Sequence, residues 1–397
     1  MKLSGSQDLG QLTYCTNIHK GETWPETLAA LRENVPSIRA EVAGEAPFGI
    51  GLRLSAAATR DLADGAALDE LKAFLTENNA YVFTINGFPF GDFHGVRVKE
   101  NVYSPDWADP DRLDYTNRLA DLLAELLPDG MTGSISTVPG TFAPWAENGV
   151  EGIVSNLVRN AAHLVELRRR TGRHITLALE PEPCCMLETI AEAIDFFTTH
   201  LYSDAAARQL AELTGLSHEG AAKALREHLG LCYDVCHAAI EFEDPQGSIA
   251  DLRAAGIPIF KLQLSSALRF ASVDSDTAAL LAPFAEPTYL HQVVGRKGAA
   301  LDKWLDLGPA LEDIDKAIGS EWRVHFHVPV FLEDMGEFGT TQAFLREILA
   351  LHRQQPISEH LEVETYTWDV LPEQYRGQPM SKAIARELNW VRKELQQ

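Results

Sequence analysis

Short apolar runs rich in β-branched residues alternate along this chain with longer amphipathic stretches, nearly from end to end. An apolar repeat of two reads as strand and one near 3.6 as helix. On that basis strands are predicted over residues 12–17, 48–55, 81–87, 133–139, 175–180, 229–236, 257–265, 323–331 and 361–368. Amphipathic helices are predicted between them, over residues 67–78, 115–127, 153–170, 188–201, 221–228 and 341–352. Regular alternation of strand and helix predicts a parallel sheet covered by helices. Several strands are apolar on both faces, as a sheet buried on both sides requires.

Two architectures satisfy that pattern. A doubly wound sheet would carry a Gly-rich phosphate turn after its first strand. Here the first strand runs into Asn17-Ile18-His19-Lys20-Gly21-Glu22 instead. Polar or ionisable residues stand at almost every strand end: Asn17, His19, Asn86, Thr137, Glu180, Asp234, His237, Gln263 and Glu364. A barrel produces that distribution, because its site is assembled from all the strand ends on one face. The expected fold is therefore an α/β (β/α)₈ barrel. A barrel uses eight strands and nine are predicted, so one is an addition. Residues 323–331 are assigned to it, as an extra strand or hairpin before the last barrel strand. Two segments between Phe270 and Glu321 show no clear helix–strand rhythm. No linker or repeat divides the chain, so one domain is expected over residues 1–397.

Composition narrows the partners. Lys plus Arg number 34 against 57 for Asp plus Glu, a formal net charge of −23. Such a surface repels polyanions, which argues against nucleic acid and anionic membrane. No run approaches the apolar length of a membrane span, and residues 1–20 hold no leader-like apolar core. The five cysteines form no regular framework, which fits a reducing cytoplasm.

The chemistry lies at the strand ends. Glu180 follows an apolar strand directly, in Glu180-Pro181-Glu182-Pro183; Asp234 follows another, with His237 three residues on. Lys261, Gln263 and Ser265 share one strand face, and Glu364 interrupts a strand of otherwise apolar and aromatic character. A single strand-end acid serves equally well to cap the next helix. A set recurring at successive strand ends is not explained by capping. Buried carboxylates are costly unless paired or bound to a cation, and three converging ones favour a divalent metal.

The ordered set resembles the xylose-isomerase-like superfamily of sugar isomerases, ketohexose epimerases and endonuclease IV. In its epimerase branch the ends of strands five to eight carry a Glu, an Asp with a His three residues later, a His with an Arg six residues later, and a Glu. The corresponding residues are Glu180, Asp234 with His237, Gln263 with Arg269, and Glu364. Gln263 is the departure. An amide oxygen ligates a hard cation less strongly than imidazole or carboxylate. His325 and His327, on one side of their predicted strand, offer a replacement. At phrase level the chain also resembles the E proteins of bacterial Ebo metabolite-traffic operons. The phrases include residues 12–19, 84–91, 289–292, 325–329 and 362–368.

The resemblance implies a metal-dependent isomerase or epimerase acting on a small sugar- or polyol-like hydroxy-carbonyl metabolite. Mn²⁺, Mg²⁺ or Zn²⁺ would sit on Glu180, Asp234 and Glu364, with Gln263 or His327 as fourth ligand. Glu180 and Glu364 would exchange protons. His237 and Arg269 would hold substrate oxygens, with His325 beside them and with His19 and Asn86 closing the far side. A carrier that binds a metabolite without turnover is the alternative, favoured by Gln263. An endonuclease-like metallohydrolase is the weakest reading, given the charge. Gly87, Gly91 and Gly95 suggest a mobile loop after the third strand.

Overall fold

Eight of the nine predicted strands pair with one another in the computed structural model, which describes residues 1–3, 7–373 and 376–396. Thirteen strands occur among the described residues. They are β1 (Gln11–Tyr14), β2 (Phe48–Arg53), β3 (Ala80–Asn86), β4 (Thr132–Thr137), β5 (His174–Leu179), β6 (Leu229–Asp234), β7 (Ile259–Leu264), β8 (Leu268–Phe270), β9 (Val293–Lys297), β10 (Ala300–Trp304), β11 (Glu321–Val324), β12 (Gly339–Thr340) and β13 (His360–Val363). One sheet has the order β1-β13-β7-β6-β5-β4-β3-β2, with every pairing parallel. A parallel bridge between Cys15 and Gly51 joins its two ends. The Thr13 hydroxyl completes the closure, donating to Gly49 O at 2.8 Å and accepting from Gly51 N at 2.9 Å. The result is a closed (β/α)₈ barrel.

The lumen is more polar than the branched aliphatic filling common in such barrels. Lys261 Nζ lies 2.7 Å from Glu362 Oε1, both side chains fully buried. Below them Ser134 Oγ meets Thr84 Oγ1 at 2.8 Å and His360 Nδ1 at 2.7 Å. Gly51 makes room for this layer: a Cβ there would stand 1.7 Å from Glu362 Oε2. The apolar residues of the strands instead point outward, against the helices. The predicted helices are present with shifted ends, for example Val150–Thr171 and Gln342–Gln354. The last helix, Met380–Gln396, packs on the first long one, Trp24–Val42, where Arg392 Nη1 donates to Val42 O at 2.7 Å.

The addition before the last barrel strand is larger than a strand or hairpin. It is a five-stranded antiparallel sheet of order β10-β9-β11-β8-β12, of which β9 and β10 come from residues between 270 and 321. Residues 323–331 are strand only up to Val324. Beyond it His325 N still bonds Gln292 O in the register of β11 with β9, and the chain leaves the ladder at Phe326, whose N bonds Val324 O, before Val328 N bonds Ser266 O. Pro329, having no N–H, could not continue a ladder.

Candidate functional site

Glu180, Asp234 and Glu364 meet at the C-terminal mouth of the barrel, each buried, with one oxygen from each within 4.8 Å of the others. Each is carried there by the end of a different strand: β5, β6 and β13. Asp234 does two things at once. Its Oδ1 caps the helix Val235–Ile240, accepting from Cys236 N at 2.7 Å, His237 N at 3.1 Å and Ser265 Oγ at 2.7 Å. Its Oδ2 has no hydrogen-bond partner among the described residues, and neither does Glu180 Oε2. Glu364 is oriented by amides from across the barrel, its Oε1 accepting from Asn17 Nδ2 at 2.6 Å and Asn86 Nδ2 at 2.9 Å.

Electrostatics follow from this crowding. Burial raises the Glu180 carboxyl well above its ordinary range, and the charges of Glu364 and Asp234 raise it further. Glu364 is raised for the same reasons, burial first and then Asp234 and Glu362, with Lys261 opposing. Bare buried oxygens, acids pushed toward their neutral forms and few cationic partners are the features a divalent cation relieves. The donor set therefore fits a metal.

Three histidines form the adjoining wall. His237 Nδ1 bonds Pro181 O at 2.9 Å, His325 Nδ1 bonds Gln292 Oε1 at 2.7 Å, and His327 Nδ1 bonds Glu364 O at 3.0 Å. Burial lowers His327 to about 4. Burial and the adjacent rings of His237 and His327 push His325 well down. Burial would lower His237 too, but the carboxylates of Asp234, Glu182 and Glu364 outweigh it and raise it. Over this floor opens a cavity walled by Phe88, Phe93, Val102, Tyr289 and Leu290.

Of the residues expected at the site, Glu180, Asp234, Glu364, Asn86, His237, His325 and His327 come together here. Gln263 lies fully buried beside Glu364, whose upward shift its side chain opposes. Arg269 does not reach the cavity. It sits on β8 in the outer sheet, its side chain 41% exposed, and pairs with Glu321 at 2.8 Å. The six-residue step fails because the chain turns into antiparallel β8 directly after β7. His19 also faces away: its Nε2 meets the Tyr14 hydroxyl at 3.0 Å, and Asn17 takes the place at the floor.

Sequence reasoning passed over Glu182, Tyr103 and Gln292 as site residues. Tyr103 Oη donates to Glu182 Oε1 at 2.7 Å, and Gln292 Nε2 reaches both, at 2.9 Å and 3.3 Å. Glu182 had a local signal, standing between prolines two residues after Glu180; the other two had none. The loop after β3 begins firmly rather than loosely, since buried Arg112 Nη1 donates to Gly87 O and Phe88 O, each at 2.9 Å.

No protein-family model matches the chain. No curated protein matches it. Among solved structures, it is similar to the probable 3-DHS dehydratase AsbF of petrobactin synthesis from Bacillus anthracis, with 14% identity and a TM-score of 0.46 over 96% of this chain and 98% of that one. A similar likeness holds to the IolI protein with a bound zinc atom, at 15% identity and a TM-score of 0.45 over 97% of each chain. A third is to a β-glucosidase from Thermotoga maritima in complex with glucoimidazole, at 11% identity and a TM-score of 0.48 over the whole of both chains. These values are too low to carry function. The barrel rests on its strand pairing and the site on its own geometry.

Proposed function

We propose that this barrel is a metal-dependent isomerase or epimerase of the xylose-isomerase-like kind, acting on a small sugar- or polyol-like hydroxy-carbonyl metabolite. The observation that carries the reading is the buried convergence of Glu180, Asp234 and Glu364, with unpartnered oxygens, at the mouth of the barrel. Mn²⁺, Mg²⁺ or Zn²⁺ held by these three, with Gln263 or His327 as fourth ligand, would supply Lewis-acid polarisation of the substrate's oxygens.

The chain's own residues supply the proton traffic. Isomerisation and epimerisation both remove a proton from the carbon next to a carbonyl and return one to the neighbouring carbon or the opposite face. A base for that step works best with a pKa near the working pH, and burial raises Glu180 and Glu364 in that direction. Asn17 and Asn86 fix the Glu364 carboxylate through one oxygen, leaving the other to serve the reaction. His237 and His325 would hold substrate hydroxyls, and the aromatic wall would exclude water. The resemblance to Ebo-operon E proteins suggests a precursor of a secondary metabolite, handled in the cytoplasm.

Incubation with candidate hydroxy-carbonyl compounds in D₂O tests the reading by NMR. Metal-dependent deuterium uptake next to the carbonyl, lost in Glu180→Gln, is the expected result. Gln263, in place of the stronger imidazole ligand, favours the second reading, a carrier without turnover. Tightly held metal with no exchange on any candidate compound would support the carrier.

A further inference from the structure

The floor and the upper wall of the cavity offer a ligand opposite chemistry. Carboxylates, imidazoles and amides make the floor. The wall is apolar. Phe93, Val98 and Tyr289 form a small hydrophobic cluster of their own, with Val102 and Tyr366 packed against it, and all five line the cavity. Ring centroids lie 5.2 Å apart for Phe93 and Tyr289, 5.3 Å for Phe93 and Tyr366, and 5.0 Å for Tyr289 and Tyr366.

Most polar groups of that wall are spent inside the protein. Tyr289 Oη donates to Phe93 O at 2.9 Å, and Tyr103 Oη donates to Glu182 Oε1 at 2.7 Å. Lys99 is the one Lys or Arg lining the cavity among the described residues, and its Nζ lies 2.6 Å from Asp306 Oδ2 and 3.0 Å from Glu286 O. A free sugar carries hydroxyls along its whole length. Lodged on this floor, it would press its far hydroxyls against hydrocarbon, where each loses water and gains no partner. A phosphorylated sugar would meet the buried carboxylates of Glu180, Glu182 and Glu364 with no free Lys or Arg to receive its charge. An aryl group gains from the same wall, through burial and through edge-to-face contact with its rings.

We infer that the ligand of this cavity is an uncharged amphiphile: a hydroxy-carbonyl head seated on the floor, joined to an aryl arm that lies against Phe93, Tyr289 and Val102. The head rests on the function proposed above. The arm is what the wall adds to it, and it separates this ligand from free and phosphorylated sugars alike.

Three α-hydroxy ketones share the head and differ in the arm. 2-Hydroxyacetophenone carries a phenyl ring, dihydroxyacetone a hydroxymethyl group, and dihydroxyacetone phosphate a phosphate ester. Isothermal titration of each into wild type and Val102→Asn, with Mn²⁺ and again in EDTA, tests the inference. Wild type should bind the phenyl compound at least about tenfold more tightly than dihydroxyacetone, as burial of a ring implies, and the phosphate no better than dihydroxyacetone. A polar side chain at position 102 should cut the phenyl preference at least about threefold. Tyr366→Asn, at another half-buried wall position, serves the same purpose should Val102→Asn fail to fold. Equal or tighter binding of either sugar-like compound, no binding of the phenyl compound, or a preference untouched by the wall variants overturns the inference. The metal reading fails separately: a phenyl preference that persists in EDTA, with no affinity altered by Mn²⁺, upholds the aryl arm and counts against the metal.

Discussion

Replacing Lys261 by Met removes a fully buried positive charge from the barrel lumen, with little change in volume. Glu362, its partner at 2.7 Å, has no exposed surface and would be left as an uncompensated buried charge. Breaking a buried pair from one side costs about 3–5 kcal/mol. At roughly 2.1 cal/mol/K per residue, 397 residues give an unfolding entropy of about 0.8 kcal/mol/K, so the melting temperature should fall by about 4–6 °C. The pair as a whole is worth far less than either half left alone, because desolvation of both ions offsets their attraction. Lys261→Met with Glu362→Gln should therefore regain most of the loss. Scanning calorimetry of wild type, both single variants and the double variant in EDTA forms the cycle. A double variant no more stable than Lys261→Met would refute the reasoning, and would mean that shape, rather than charge, is what Lys261 supplies. The layer matters to the site above, since Lys261 also opposes the upward shifts of Glu180 and Glu364.

Further outcomes are expected. Glu180 is raised in the folded state, so its contribution to stability is complete below the unfolded value of about 4.3 and is lost as pH rises through the folded value. In EDTA, Glu180→Gln should match wild type near pH 4 and become increasingly the more stable protein as pH rises. Added Mn²⁺ should reverse the order by stabilising wild type most at high pH, where the ligands are deprotonated; calorimetry across pH checks this, and a pH-independent difference would contradict it. Arg269→Ala should leave metal content and ligand affinity unchanged and cost about 0–1 kcal/mol, as a part-exposed pair with Glu321 predicts. His237→Ala should weaken binding instead, and isothermal titration with a turned-over or co-purified metabolite compares the two.

Much of this protein was legible without coordinates, for a local reason. The period of two fixes which side chains share a strand face, so Lys261, Gln263 and Ser265 could be assigned together before any pairing was known. Alternation of strand and helix then required parallel pairing, and a barrel brings strand ends to one mouth wherever the strands lie in sequence. Glu180, Asp234 and Glu364 needed nothing more than that to be placed together. Residues beyond the strand ends are governed by different physics. Arg269 follows β7 by five residues, yet its direction depends on an antiparallel sheet whose strands pair through contacts up to some seventy residues apart. His325 and His327 reach the cavity only because that sheet folds back over the mouth, and their Nδ1 atoms bond Gln292 Oε1 and Glu364 O, drawn from two separate segments. A sequence pattern encodes which face a side chain takes within its own element. Which elements close over the site is decided by long-range packing and hydrogen bonding, and it was there that His19 turned away, Asn17 took its place and three imidazoles came to face one another.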